Sequence, residues 1–356
     1  MGVIQLSEAK GLFTNKLQEI YREKILPTAF LRSFFEPVES QTKYVSIAVR
    51  RGAEKIAVDV QRGTEGNRNS FSKSSEKTFL PAFYEEYLEA TEMDFYDKMW
   101  NSNGTVEVTT FKMWLDETVD NLEQLIFKID RAYEVQCKEV LELGVVTLKA
   151  GENIDFKRKA ASLVANVAGN TWATGTVSPY KTIEDGCSFI RTKGKSQGTT
   201  MNLILGSEAF NDFMDNTIVK ERNDMQNISL DSIREPQRVS DATLHGQITA
   251  GSYKLNVWTY NEFYDDASGD NNPYINPKLA IILPEKPNFK FMYSGMPMLL
   301  GDNGAKEGAG LTGVKGRYHI SEDLDRRKKS HQIIVASAGI PVPVAIDQLY
   351  TVQVVA

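Results

Sequence analysis

One apolar stripe, running from Asp116 to Leu143, constrains the fold of this chain more than any other feature. Apolar side chains fall at Val119, Leu122, Ile126, Ile129, Tyr133, Cys137 and Val140, at intervals of three and four. That spacing is the period of an amphipathic helix. At 1.5 Å per residue the helix would run about 42 Å, and Gly144 supplies its stop. A single stripe on so long a helix predicts a spine lying on a sheet, because a helix buried all round would be apolar all round.

Strands for such a sheet occur on both sides of the helix. Residues 41–60, QTKYVSIAVRRGAEKIAVDV, are rich in Val and Ile and read as strand, turn at Gly52, strand. The polar run QRGTEGNRNSFSKSSEKT follows, and TFLPAFYEEYLEA then resumes the apolar pattern. Residues 41–83 as a whole read as a long two-stranded excursion with a polar tip, projecting roughly 50 Å if each side has about 15 residues. An isolated hairpin is marginal in water, so this one needs a neighbour.

Beyond Gly151 the chain alternates helix and strand. MNLILGSEAFNDFMDN (201–216) is a buried strand running into a helix opened by Ser207. SYKLNVWTYNEFY (252–264) is a strand with Leu255 and Val257 inward, and KLAIILPEKPNFKFMYSG (278–295) gives one or two more. YDDASGDNNPYINP reads as an acidic loop and GDNGAKEGAGLTGVKG (301–316) as a glycine-dense one. The chain closes on GIPVPVAIDQLYTVQVVA, with no polar tail. Chain ends fray unless tied down, so this last strand is expected to complete the protein's own sheet. Pro341 and Pro343 put their missing N–H groups on one edge, which suits a sheet margin where the segment begins.

At the other end, residues 8–26 place Leu12, Phe13, Leu17, Ile20 and Tyr21 near one helical face, and Pro27 ends the pattern. TAFLRSFFEPVES follows, with Phe30, Phe34 and Phe35. So apolar an arm must dock, either on its own domain or on a neighbour.

Composition narrows the function. The chain has 356 residues, 41% hydrophobic, with 41 basic and 47 acidic side chains and a net charge of -6. That balance argues against a protein whose main work is coating nucleic acid. Two cysteines, Cys137 and Cys187, make no disulfide framework and favour a reducing compartment. The start MGVIQLSEAK lacks a basic stretch followed by an apolar one, so no signal peptide is expected. No apolar run approaches the roughly 20 residues of a membrane span.

Catalytic patterns are thin. His245, His319 and His331 have no partner at metal-ligand spacing, so no metal is expected. Cys137 sits on the apolar stripe, and nothing near Cys187 activates it as a nucleophile. Gly308 and Gly313 have phosphate-loop spacing, but Val314 stands where Lys is required and Gly316 where a hydroxyl is. No cofactor is expected. One charge pattern does point to a mechanism. The excursion's tip carries Arg62, Arg68, Lys73 and Lys77 against Glu65 and Glu76, and Glu85, Glu86, Glu89, Glu92, Asp94 and Asp97 follow. Opposite patches on an extended element and on its base suit docking of one subunit on another, or else they are unrelated solvated charges.

In order, these parts resemble a tailed-phage major capsid protein of the HK97-like fold, lambda-type (capsid protein E) family. TAFLRSFF closes the arm, while EKIAVDVQRGTEGNRNSF and KTFLPAFY resemble two sides of the family's E-loop. DNLEQLIFKIDRAYEVQCKEVLELGVVTLKAGENIDF resembles its spine helix entering a P-domain strand. MNLILGSEAFNDF, KLNVWTYNEFY and INPKLAIILPEK resemble A-domain elements, and DRRKKSHQIIVASAGIPVPVAIDQLYTVQVVA its C-terminal end. The resemblance implies an α+β chain: N-terminal arm 1–40, E-loop 41–95, P-domain 96–200, A-domain 201–330 and C-terminal strands 331–356. It implies a non-enzymatic shell subunit that forms hexamers and pentamers, and from them an icosahedral head around double-stranded DNA. Assembly would take place in the host bacterial cytoplasm, with scaffold, portal and decoration proteins as partners, no membrane and little specific DNA contact. Expected inter-subunit contacts are Arg62, Arg68 and Lys73 at the tip and Phe30, Phe34 and Phe35 in the arm. No Lys–Asn pair matches the cross-link some members make. An encapsulin-like nanocompartment shell and a cytoplasmic α/β hydrolytic enzyme with an Asp/Glu pair remain as alternatives.

Overall fold

Among the described residues, four strands precede the long helix: β1 (Glu36–Glu39), β2 (Val45–Arg50), β3 (Ser74–Phe79) and β4 (Ala82–Thr91). The helix, α1, runs Val108–Glu142, starting at Val108 where the stripe alone indicated Asp116. This computed structural model describes residues 26–50, 74–91, 108–148, 153–165, 171–174, 177–225, 237–239, 241–266, 268–299, 311–314, 316–325 and 330–356. Gly144 ends α1 at φ +76°, a left-handed conformation that glycine adopts without strain. Arg158 then covers the helix end. Its Nη1 donates to the carbonyls of Leu141 (3.3 Å) and Glu142 (3.0 Å), which have no partner inside the helix. Burial lowers the Arg158 pKa to about 10.

Next come β5 (Val145–Val146), β6 (Ile154–Asp155), β7 (Leu163–Val164), α2 (Pro179–Thr192), β8 (Thr200–Leu205), α3 (Ser207–Asp215) and α4 (Thr217–Met225). The chain then runs through β9 (Gln237–Val239), β10 (Ala242–Ala250), β11 (Tyr253–Thr259), β12 (Phe263–Asp265), β13 (Asn271–Pro273) and β14 (Leu279–Pro284). It finishes with β15 (Lys290–Tyr293), β16 (Met296–Leu299), β17 (Leu311–Val314), β18 (His319–Asp325), β19 (Ser330–Val342) and β20 (Tyr350–Gln353).

Among the described residues, two larger sheets hold twelve of these strands, and the rest pair two by two. One has the order β1-β15-β19-β18, with β4 on the other edge of β19. The other has seven strands in the order β7-β20-β14-β8-β11-β10-β9. Period-2 alternation splits the seven-stranded sheet between two cores. Leu203, Leu205, Leu255, Val257, Ala280 and Ile282 pack with Ile183, Ile190, Ala209 and Phe213 of α2 and α3. Ile204, Ile281 and Leu283 face the other way, into the core built on α1.

In that second core the stripe is used as expected. Ile129, Tyr133, Cys137 and Val140 are all buried, beside Phe291, Tyr293, Val335 and Ile340 of the smaller sheet. Tyr133 is the centrepiece. Its ring meets Tyr84 edge-on at 5.4 Å and Phe291 at 5.0 Å, and its hydroxyl hydrogen-bonds Ser337. Gly339 makes room for it: a Cβ there would come within 2.7 Å of Phe291 and 3.1 Å of Tyr133.

The long excursion takes form as β2 and β3, paired antiparallel from Val45↔Phe79 to Arg50↔Ser74. The proposed turn at Gly52 lies outside the described residues. Two readings change. The acidic loop contains the hairpin β12–β13, whose turn Asp266 folds by accepting the N–H groups of Ser268 (2.8 Å) and Asp270 (3.0 Å). The glycine-dense segment ends in β17, paired with β16.

The C-terminal expectation holds, with one correction. β20 lies between β14 and β7, closing the protein's own sheet. The prolines mark the end of β19, a 13-residue central strand, not the beginning of a marginal one. β19 pairs with β4 from Ser330 to Gly339 and with β15 from Gly339 to Val342. Pro341 thus falls just past the β4 ladder, opposite Phe291 of β15 and one residue from the end of the strand.

Candidate assembly surface

The N-terminal segment is tied down by charge as well as by apolar rings. Glu134 of α1 is fully buried, and its Oε1 accepts the Leu31 N–H at 2.7 Å. Its Oε2 accepts the Arg32 N–H at 3.1 Å. One turn earlier, Asp130 pairs with the Arg32 guanidinium and accepts the Tyr318 hydroxyl. Burial pushes the Glu134 pKa up to about 7, against the opposing pull of the two N–H donors and Arg32. Three segments far apart in sequence therefore meet at two carboxylates.

This clasp settles the place of two expected contact residues. Phe30 and Phe35 are each 3% exposed, inside their own subunit's core. Phe30 packs 5.4 Å from Trp258 and 5.3 Å from Tyr260, and Phe35 packs 5.3 Å from Phe289. The expectation that these two rings reach a neighbour gives way, because burial in their own core occupies them. Phe34 is half-buried, edge-on to Phe30 at 5.2 Å. Arg62, Arg68 and Lys73 lie outside the described residues.

Among the described residues, three other places offer surface for a neighbour. The ribbon β2–β3 joins no further strand among the described residues. On β4, alternation turns Tyr84 toward α1 and leaves Phe83 (55%) and Tyr87 (59%) exposed. Glu85 and Glu89 stand exposed on that same face, while Glu86 points to α1 and pairs with Lys128 at 2.6 Å. The acidic run is therefore not a single face: Glu86 belongs to the helix contact. The third place is a groove of about 610 Å³ along α1, walled by Tyr84, Val135 and Gln136 on one side and by Phe263 and Tyr264 of the β12–β13 hairpin.

No nucleophile is exposed at either thiol. Cys137 and Cys187 are buried, and burial pushes Cys187 up to about 12 and Cys137 well above its ordinary range. Such thiols are inert. His245 stacks on Phe210 at 4.2 Å and shares a hydrogen bond with Thr259 at 2.7 Å. His319 lies in β18 and His331 in β19. Among the described residues no group of His, Cys, Asp and Glu could hold a metal ion, and no helix is long and apolar enough to cross a membrane.

A long helix laid on a mostly antiparallel sheet, a second sheet carrying α2–α4, and a two-stranded ribbon together define the HK97-like capsid fold. A prophage protein of E. coli CFT073 assigned as a capsid protein superposes with a TM-score of 0.61 at 14% identity, covering 97% of this chain and 98% of its own. A phage-related protein from Bordetella bronchiseptica RB50 gives 0.50 at 11% identity, covering 96% of each chain. No curated protein sequence matches the chain. The sequence signature of phage major capsid protein E matches residues 16–354, and the chain belongs to that family. It is a capsid shell protein, with its place in the virion.

Proposed function

We propose that the subunit assembles through hexamers and pentamers into an icosahedral shell around phage double-stranded DNA, in the cytoplasm of the host bacterium, and catalyses no reaction. The observation that carries this reading is the ribbon β2–β3 on a chain of the capsid family. A two-stranded ribbon without a third strand is marginal in water, and a neighbouring copy supplies the missing support. The exposed rings of Phe83 and Tyr87 on β4 add apolar surface for such a neighbour. The net charge of -6 fits a genome neutralised mainly by small cations, with few protein–phosphate contacts. Scaffold, portal and decoration proteins are the further partners this role calls for.

In this reading residues 1–40 are the N-terminal arm and 41–95 the E-loop, and the P-domain carries α1. The packing supports a boundary between P- and A-domains nearer residue 160 than 200. The reason is that α2 and β7 belong with the seven-stranded sheet. The chain returns to the P-domain sheet at β15, so the A-domain ends near residue 285.

Electron microscopy of the protein expressed alone and with its genomic neighbours tests the proposal. Closed shells, or rings of five and six subunits, support it. Compact monomers or dimers under every condition, a candidate scaffold included, overturn it. Arg68→Glu reverses charge at the ribbon's tip and is expected to block shell formation without unfolding the subunit. Normal shells from this variant would remove the tip from the mechanism.

A further inference from the structure

The ribbon β2–β3 stands on two legs, and both reach the smaller sheet at one place. Gly339 of β19 pairs with Ala82 of β4 on one edge and with Tyr293 of β15 on the other. One leg, residues 80–81, runs from Phe79 straight into β4 at Ala82. Pro81 is buried, and its ring fixes φ there. The other leg, residues 40–44, follows directly on β1. Its Ser40 N–H donates to the Tyr293 carbonyl at 2.8 Å, and its Thr42 carbonyl accepts the Gly295 N–H at 3.0 Å. Beyond this crossing the legs join in the pair Val45↔Phe79, with Val45 only 1% exposed. The ribbon therefore straddles β19, held from both edges.

Gly295 lets the leg from β1 lie this close. A Cβ there would come within 2.2 Å of the Gln41 carbonyl oxygen and 2.5 Å of its carbon. These are backbone atoms, which cannot rotate aside as the end of a side chain can, so any side chain at 295 lifts the leg. A glycine at such a point marks the close approach of another backbone. Two hydroxyls brace the crossing: Ser40 Oγ and Thr42 Oγ1 share a hydrogen bond at 2.8 Å, and Thr42 Oγ1 donates to the Tyr44 carbonyl at 2.7 Å. A ribbon on one leg can swing about a few backbone dihedrals, as hinged elements do. On two legs it swings only if one of them leaves the sheet.

We propose that the crossing at Gly295 is a latch that sets the ribbon's direction in the free subunit, before any neighbour is met, with Gly295 as its positioning residue. A preset direction avoids the ordering cost that a swinging ribbon would meet on docking. The latch belongs to the single subunit; its effect on shells rests on the assembly reading.

The test measures the ribbon's direction itself. Spin labels on Lys77→Cys in β3 and on Lys286→Cys, an exposed position between β14 and β15, report their separation in the free subunit by double electron–electron resonance. Labels on Lys128→Cys in α1 and Lys286→Cys form a control pair within the body. Cys137 and Cys187 are buried and take no label. A narrow distance distribution is expected for the ribbon pair, and Gly295→Ala should broaden it while the control pair stays narrow. A broad ribbon distribution before any change at Gly295 overturns the proposal. So does a Gly295→Ala protein whose ribbon pair stays as narrow as before. Should Gly295→Ala broaden both pairs, two glycines inserted between Lys43 and Tyr44 slacken the leg without touching the sheet. A ribbon pair that then broadens alone supports the latch, and one that stays narrow overturns it. Microscopy of the same variants reports separately on assembly: loss of closed shells is expected, and normal shells from a broadened ribbon would count against the ribbon's part in assembly while the latch stands.

Discussion

Glu134→Gln isolates the clasp between the N-terminal segment and α1. In the folded chain burial pushes the Glu134 carboxyl from 4.5 to about 7. In the unfolded chain it returns to the ordinary carboxylate range. Between these two values the folded form holds a proton that the unfolded form has released, so stability falls as pH rises. The contribution is fully present below about pH 4.5 and lost as pH passes about 7; at 1.36 kcal/mol per unit it amounts to about 3 kcal/mol. Glutamine keeps an oxygen for the Leu31 N–H and sets an amide against the Arg32 N–H, a penalty that does not change with pH. The assay is denaturant unfolding of both proteins at pH 4.5, 6 and 8. Other groups titrate equally in the two, so the difference between them is the readout. The gap is expected to shift by about 3 kcal/mol in favour of the variant from pH 4.5 to 8. A gap that stays constant across the range would refute the argument that burial dominates this carboxyl.

Two further perturbations test the cores. Gly339→Ala forces a methyl group against Phe291 and Tyr133, and overpacking of this kind is expected to cost about 1–3 kcal/mol in thermal or denaturant unfolding; a neutral result would show that those rings can move aside. Removing Gln348–Ala356 strips β20 from between β14 and β7 and takes Tyr350, Val352 and Val354 out of the core. Insoluble protein is expected, and soluble, monodisperse truncated chain would show that the terminal strand is dispensable.

The helix α1 and the ribbon were legible because each is a local pattern sustained over many residues. The clasp was not. Asp130 and Glu134 sit beside the stripe residues Ile129 and Tyr133, and on a helix edge such a pair looks the same whether it faces water or a backbone N–H 103 positions away. The exposed rings were hidden for a related reason: in PAFYEEY the parity facing α1 is decided by the pairing of β4 with β19, which sets Tyr84 inward and Phe83 outward. The β12–β13 hairpin was read as a loop because Asp, Gly and Asn dominate it. A side-chain turn at Asp266 organises it, and residue composition alone does not reveal that.

The position of β19 in the chain has a consequence for how the subunit is born. Thr91 pairs with Ser330, so β4 leaves the ribosome about 240 residues before its partner strand, which at 5–20 residues per second is roughly 10–50 s. During that interval β4 has an open edge and its inward Tyr84 lacks the sheet around it. Long-range pairing of this kind slows folding and exposes the waiting strand to wrong partners. Because the smaller sheet closes only when β19 arrives, a half-made chain lacks the platform on which α1 and the arm are laid. The topology thereby defers a closed smaller sheet until β19 has been made, long after its partner β4.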